Sequence, residues 1–228
     1  KRSLHLDLRF CGSVDAIRAL NEGRCIMAGF HAPSIPATGS LVARTYKPLL
    51  KTGLHKLVGF ASRQQGLMVQ AGNPLRLHEL RHLLKPGVRF VNRSAGTGTR
   101  LLLDQWLRAA ALNPLDILGY LQEETSHTAV AASIAANQAD AGLGIRSAAQ
   151  AQGLDFVPLE QENYWLVCLK SALDSPPVQQ LRSILQSKAW IAQINSLSGY
   201  HADDTSGQIL SLKHQLPWWT LRKPSTCT

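Results

Sequence analysis

The stretch "VRFVNRSAGTGTRLLLD" occupies Val88–Asp104. Its first six residues read as a strand, and "SAGTGT" then packs small, hydroxyl-bearing residues into a turn. Beyond it, Leu102, Leu103, Trp106, Leu107 and Ala110 recur at the spacing of one helical face. Strand, glycine-rich turn and helix together form half a βαβ unit, so the stretch points to an α/β fold.

The same order recurs on both sides. "LHLDLRF" (Leu4–Phe10) alternates apolar and polar residues and predicts a strand. A helix follows, capped by Ser13, with Val14, Ile17 and Leu20 on its apolar face and Gly23 as its stop. "CIMAGF" (Cys25–Phe30) predicts a short strand, and residues 32–40 a loop. "HKLVGFASRQQGLMVQ" (His55–Gln70) predicts two strand runs around "SRQQG". "NPLRLHELRHLL" predicts a helix with Asn73 as N-cap and Pro74 in its first turn. "ILGYLQEE" predicts a strand, "TSHTAVAASIAANQ" a helix, "ADAGLGI" a strand and "SAAQAQG" a short helix. "DFVPL" and "NYWLVCLK" predict two further strands, and Pro176–Ser198 two helices. This alternation predicts layered α/β structure with largely parallel sheets. Residues 65–165 read as an inserted unit, with crossings near 64–66 and 160–165 linking two lobes with separate sheets across a cleft.

The chain has 228 residues, 45% of them hydrophobic, enough for one large or two small domains with a core. No apolar run is long enough to cross a bilayer. Neither a signal sequence nor Met opens the chain, which predicts a mature form or a fragment. Cys11, Cys25, Cys168 and Cys227 show no metal-ligand spacing, and buried reduced thiols in a cytoplasmic protein are expected. Residues 1–100 carry 16 Lys/Arg against 4 Asp/Glu, while residues 101–228 carry 8 against 11. That asymmetry suggests an anionic partner.

Three loops place small polar residues between a strand and a helix: Gly12-Ser13, Ser94–Thr99 and Thr125-Ser126-His127. Helix starts leave N–H groups unpaired and carry positive partial charge, so an anion satisfies both. An ordinary N-cap is the alternative for each loop. The Ser94–Thr99 loop matches neither nucleotide motif. It lacks the Lys and spacing of a P-loop, and Leu101 stands where a dinucleotide fingerprint needs its third glycine. What remains is a hydroxyl-rich nest in which Ser94, Thr97 and Thr99 supply hydroxyls, Gly96 and Gly98 allow close approach, and Arg100 adds a charge-assisted bond. His31 ends a strand beside the expected cleft. Arg63 lies at a crossing, as an anion contact or in a hinge salt bridge with Glu123 or Glu124. Asp140 reads as orienting a neighbouring helix or N–H group. No nucleophile elbow, carboxylate pair or histidine cluster supports catalysis or a metal, so no enzyme and no cofactor are expected.

The segments "FCGSVDAIRALNEGRCIMAGFH", "SRQQGLMVQAGNP", "VRFVNRSAGTGTRLLLD", "EETSHTAVAASIAANQADAGLGI" and "GLDFVPLEQENYWLV" resemble the substrate-binding-protein-like domain of the molybdate-binding-protein-like group. Members are usually joined to a DNA-binding helix-turn-helix or to molybdopterin-biosynthesis proteins. The resemblance covers residues 4–200 and implies a two-lobed type II periplasmic-binding-protein-like α/β fold with a ligand cleft between lobes. It implies a small oxyanion such as molybdate or tungstate, or a molybdenum-cofactor-related molecule, as ligand. It carries over Gly12, Ser13, His31, Ser94, Gly96, Thr97, Gly98, Thr99, Arg100, Ser126 and His127 as site residues. Members begin with a strand and helix before the equivalent of Leu4, which this sequence lacks, and Ser34 stands where an acidic residue is expected.

The domain reading is lobe I over 1–64 and 166–200, lobe II over 65–165, and a tail over 201–228. The function expected is the ligand-sensing domain of a cytoplasmic transcriptional regulator, similar to LysR-type effector domains. It would contact DNA only through a separate helix-turn-helix, self-associate, and have no membrane partner. A periplasmic solute receptor is the alternative. Trp218 and Trp219 are expected to pack on this lobe or on a neighbouring copy.

Overall fold

A computed structural model describes residues 4–34 and 37–219. The chain folds as α1 (Ser13–Asn21), β1 (Met27–Pro33), α2 (Leu41–Tyr46), β2 (His55–Val69), β3 (Phe90–Arg93) and α3 (Gly98–Ala109). There follow β4 (Glu123–Glu124), α4 (His127–Ala135), β5 (Ala141–Ile145), α5 (Arg146–Ala151) and β6 (Asp155–Leu169). The described chain closes with α6 (Pro176–Leu185), α7 (Lys188–Ser196), β7 (Tyr200–His201), β8 (Ile209–Leu210) and α8 (Leu212–Gln215).

Among the described residues, one eight-stranded sheet runs in the order β1-β6-β2-β5-β3-β4, with β7 and β8 also paired to β2. Separate, largely parallel sheets were expected. Instead β2 pairs antiparallel with β5, β6, β7 and β8, β1 pairs antiparallel with β6, and only β3–β4 and β3–β5 are parallel. The two runs expected in His55–Gln70 are one strand of 15 residues, and "DFVPL" and "NYWLVCLK" merge into another of 15. Their pairing shifts register between Gln65 and Gly66, where a Cβ on Gly66 would lie 2.1 Å from the Val157 carbonyl oxygen.

The hydrophobic core changes along these two strands. Leu57, Trp165 and Val167 pack with Ile17, Leu20, Phe30 and Tyr46 from α1, β1 and α2. Leu67 and Val69 pack instead with Phe90, Leu103, Leu107 and Leu143. Met68 joins Val91, Val130 and Ile134 beneath α4. Residues read as a tail fold back onto the first core. Leu212, Leu216 and Trp218 are buried there, with the Trp218 ring stacked 6.3 Å from that of Tyr46.

Three sequence expectations change. Leu4–Phe10 forms no strand, and Leu6, Leu8 and Phe10 are exposed. Alternation selects a face but does not supply a neighbour to pair with. Asn73 does not cap a helix. Asn73 and Arg76 have φ of 44° and 49°, and only Leu80–Leu84 forms a turn of 3₁₀ helix. Of "ILGYLQEE", only Glu123–Glu124 pairs as strand. No helix among the described residues is long and apolar enough to cross a membrane. Cys11 is exposed, Cys25 half-buried and Cys168 buried, so burial of the thiols holds for Cys168, while Cys227 lies outside the described residues.

Candidate functional site

Strand register gathers a polar row on one face of the sheet. His31 on β1 is paired with Tyr164 on β6, and their rings meet edge-on at 5.6 Å. Two residues along β6, Glu162 is paired with Arg63 on β2, and Gln65 lies two residues beyond Arg63. Positions two apart share a face, and directly paired residues share it across strands. The sequence therefore dictates a His–Tyr, Glu–Arg, Gln series once the two long strands form.

Arg63 and Glu162 are both buried, with Nε donating to Oε2 over 3.1 Å. The Arg63 partner is thus Glu162, not the Glu123 or Glu124 expected from sequence. Burial works against the guanidinium charge, and Glu162 and Tyr200 more than restore it. The Arg63 Nη2 is buried with no hydrogen-bond partner. Arg93, the last residue of β3, is also buried. Its Nη1 donates to the Glu124 carbonyl at 2.7 Å, while its Nε has no partner. Buried guanidinium N–H groups left unpaired are costly, and an acceptor between them removes that cost.

Helix starts reach the same place. Gly12 is the N-cap of α1, and Ser13, expected to be that cap, is instead its first helical residue. Ser13 Oγ lies 3.5 Å from His31 Nδ1. A Cβ on Gly12 would lie 3.3 Å from the Gly96 carbonyl oxygen, so the first loop sits directly on the loop that opens α3. A Cβ on Gly98 would lie 2.8 Å from His31 Nε2 and 3.1 Å from the Tyr46 hydroxyl. Glycine at these two positions lets the three elements close together. Gly96 turns the chain at φ 80°.

At the third loop, Ser126 caps α4 by accepting from the Ala129 N–H at 2.9 Å. His127, the first residue of α4, has a buried Nδ1 with no partner. The ring lies against β5, 3.4 Å from where a Cβ on Gly144 would stand. Burial holds the His127 pKa well below the usual imidazole range, helped by Arg63 and Arg93. Burial does the same for His31, followed by Arg63, His127 and Arg93. Both rings are therefore neutral at pH 7, and each feels the same two guanidiniums.

Several expected ligand groups have other work. Thr97 caps α3, accepting from the Arg100 N–H, and its hydroxyl donates to the Ser94 carbonyl at 2.8 Å. The Ser94 hydroxyl donates to the Glu124 carbonyl at 3.2 Å. Thr99 Oγ1 accepts from Gln65 Nε2 at 2.9 Å. Arg100 is held by Asp104 at 3.0 Å, Glu123 at 2.7 Å and the Tyr120 ring at 4.3 Å. These partners occupy the Arg100 side chain, whereas Arg93 keeps an unpartnered buried Nε. Asp140 is paired with Arg89 and also accepts the Arg89 backbone N–H at 2.8 Å.

Sequence reasoning missed Arg93, Glu162, Tyr164, Gln65 and Tyr46. Arg93 was open to discovery, since it ends a strand just before the glycine loop, where ligands of α/β sheets bind. Glu162 was marked by a charged residue alternating into an apolar strand. The arrangement brings guanidinium nitrogens and neutral imidazoles together beside the starts of α1, α3 and α4, which is a donor set for a small anion.

Comparison with known proteins follows the same line. A family profile described as "PBP superfamily domain" matches residues 1–186. An uncharacterized Bacillus subtilis protein, YvgK, is 33% identical over 202 residues, covering 89% of this chain. The chain spans 65% of the length of that relative. Among solved structures, a Clostridium perfringens protein assigned as a phosphate ABC transporter substrate-binding protein, with phosphate bound, superposes with a TM-score of 0.61. It is 15% identical, and the match covers 85% of each chain. The substrate-binding domain assigned to a Clostridium difficile molybdenum ABC transporter gives a TM-score of 0.55 at 15% identity, covering 88% of this chain and 87% of that one. These structural likenesses concern the fold.

Proposed function

The chain belongs to the PBP superfamily, and from that premise we propose that its ligand is a small oxyanion held by Arg63 and Arg93 beside His31 and His127, where the Gly12-Ser13 and Ser94–Arg100 loops meet. The observation that carries this reading is the pair of buried arginines, Arg63 and Arg93, each with an unpartnered side-chain nitrogen. Their charges act together on His31, within β1, and on His127, the first residue of α4. The fold likeness to receptors described as handling phosphate and molybdenum supports the same ligand class.

For the whole protein, we carry the role of a ligand-sensing domain in a cytoplasmic regulator, not an enzyme. It acts on DNA only through a separate helix-turn-helix, and its resemblance to regulator-fused domains supports this. Ligand closes the site by binding the closed form more tightly than the open one. Self-association belongs to the same reading, supported by exposed Leu6, Leu8 and Phe10 and by β1 lying at the end of the sheet order. Sedimentation giving only monomer at tens of micromolar would remove it. A solute receptor is the second reading, favoured by the fold relatives described as transporter components. Export of the full-length product to the cell exterior would favour it over the regulator.

A thermal-shift series with sodium molybdate, sulfate and phosphate tests the ligand class. A ligand present at 100 times its Kd stabilises the native state by about 2.7 kcal/mol. For a chain of this size that raises Tm by about 5–11 °C. No shift with any of the three removes the oxyanion reading.

A further inference from the structure

We propose that a doubly charged tetrahedral oxyanion binding at the site takes up one proton from solvent with it, the proton residing on the His31–His127 pair. This rests on the reading of the locus as an anion site and adds the charge state of its ligand.

The argument begins with fixed charge. Arg63 is matched by Glu162 at 3.1 Å on the adjacent strand. Among the described residues, Arg93 has no carboxylate in hydrogen-bond contact. Its Nη1 goes to a backbone carbonyl, and the Glu124 carboxylate turns instead to the Ser133 hydroxyl at 3.0 Å. Burial and then Arg63 work against the Arg93 charge, and Glu124 only partly offsets them. The locus therefore holds at most one uncompensated positive charge. A monoanion is balanced by Arg93 alone. A dianion brings one further negative charge into a buried place, and unbalanced buried charge is expensive.

The two rings are where the balancing proton can go. His31 is faced by Ser13 from α1, Tyr46 across Gly98 from α2, Tyr164 from β6, Arg63 from β2, Arg93 from β3 and His127 from α4. His127 is faced by Arg63, Arg93 and His31 and lies against Gly144 of β5. The two guanidiniums act on both rings, so in the empty site both stay neutral. A dianion between the guanidiniums and the rings reverses that field. An imidazolium donates from both nitrogens, and the buried His127 Nδ1, which has no partner, gains an acceptor. The proton leaves the buffer and no other bond changes.

Titration calorimetry in buffers of low and high ionisation enthalpy reads the proton directly. The probes are sodium molybdate and sodium sulfate as dianions, and sodium nitrate and sodium perchlorate as monoanions. At pH 7.5 the expected result is an uptake of about one proton per dianion bound and none for a monoanion. The association constant for the dianions should fall by up to about tenfold per pH unit between pH 6 and pH 8. In the double variant His31→Gln, His127→Gln, with circular dichroism as fold control, the uptake and the pH dependence should vanish. The comparison on the unaltered chain decides the matter even where that variant fails to fold. Dianion binding without proton uptake overturns the inference and leaves the anion site standing, as does equal uptake with monoanions. Absence of binding by every probe overturns the anion site and the inference with it.

Discussion

Arg63 and Glu162 are directly paired across β2 and β6, with Nε and Oε2 3.1 Å apart and both side chains buried. The two charges tie together the long strands at the point where the core changes. Removing one partner leaves the other charged and out of water. Glu162→Ala should therefore cost about 3–5 kcal/mol of stability. The double change Arg63→Met, Glu162→Leu should recover most of it, because apolar residues of similar volume often replace a buried pair without loss. The double variant should bind anion more weakly than the parent, because the Arg63 donor is gone. Urea melts of the three proteins check this, and a single variant as stable as the parent would contradict it.

Gly98 opens α3 against His31 and Tyr46, with no room for a Cβ. Its place in the helix is otherwise compatible with alanine, which is favoured over glycine there by about 0.5–1 kcal/mol. Gly98→Ala should therefore change Tm by only a few degrees while pushing the His31 ring out of position. A loss of anion affinity of at least tenfold is expected from calorimetry. Parent-like affinity would mean that His31 can move without consequence.

Several helices and short strands, α1, α3, α4, β3 and β5 among them, were legible in the sequence, because apolar period and small capping residues are local signals. Ser126 before α4 and the apolar face of α3 are examples. The long strands were not. Arg63, Gln64 and Gln65 interrupt the apolar run of β2 and read as a break, yet Arg63 and Gln65 are buried mid-strand. Their partners, Glu162 and Thr99, lie far away in sequence, which periodicity does not encode. Register decided the rest. It is register that sets Glu162 beside Arg63, 99 residues away, and no local pattern specifies it. Within the loops, the hydroxyls expected to face a ligand have other partners: Thr97 bonds the turn itself and Ser94 the Glu124 carbonyl of β4.

Acid should destabilise the empty protein. Burial, then Arg63, holds the pKa of His31 and of His127 well below the unfolded value near 6.5. A group with a depressed folded pKa of this kind binds its proton more readily when unfolded. The unfolded state then holds more protons below about pH 6.5, so stability is full above that pH and falls as pH drops further. Urea midpoints measured from pH 7.5 down to pH 5 should decrease for the parent. The decrease should be shallower in the double variant His31→Gln, His127→Gln. Identical slopes would show that neither ring is buried neutral.

Arg93 and Arg100 divide the labour that one arginine was expected to perform, and a pair of variants separates them. Arg100 is bound by Asp104, Glu123 and the Tyr120 ring, and none of these contacts involves the anion locus. Arg100→Leu leaves two partly exposed carboxylates and an aromatic hydroxyl without their cation. A loss of about 1–3 kcal/mol in stability is expected, with affinity close to that of the parent. Arg93 has a buried Nε with no partner among the described residues and, in the proposed site, carries the positive charge that meets the anion. Arg93→Leu removes that charge and at least one charge-assisted hydrogen bond, each costing about 1.5–3 kcal/mol, so affinity should fall about tenfold or more. The empty protein should lose little, since the side chain it loses was itself imperfectly paired. Calorimetry with molybdate and urea melts on both variants give a crossed pattern: one falls in stability, the other in affinity. The reverse pattern would return the ligand contact to Arg100 and make Arg93 a structural residue at the end of β3.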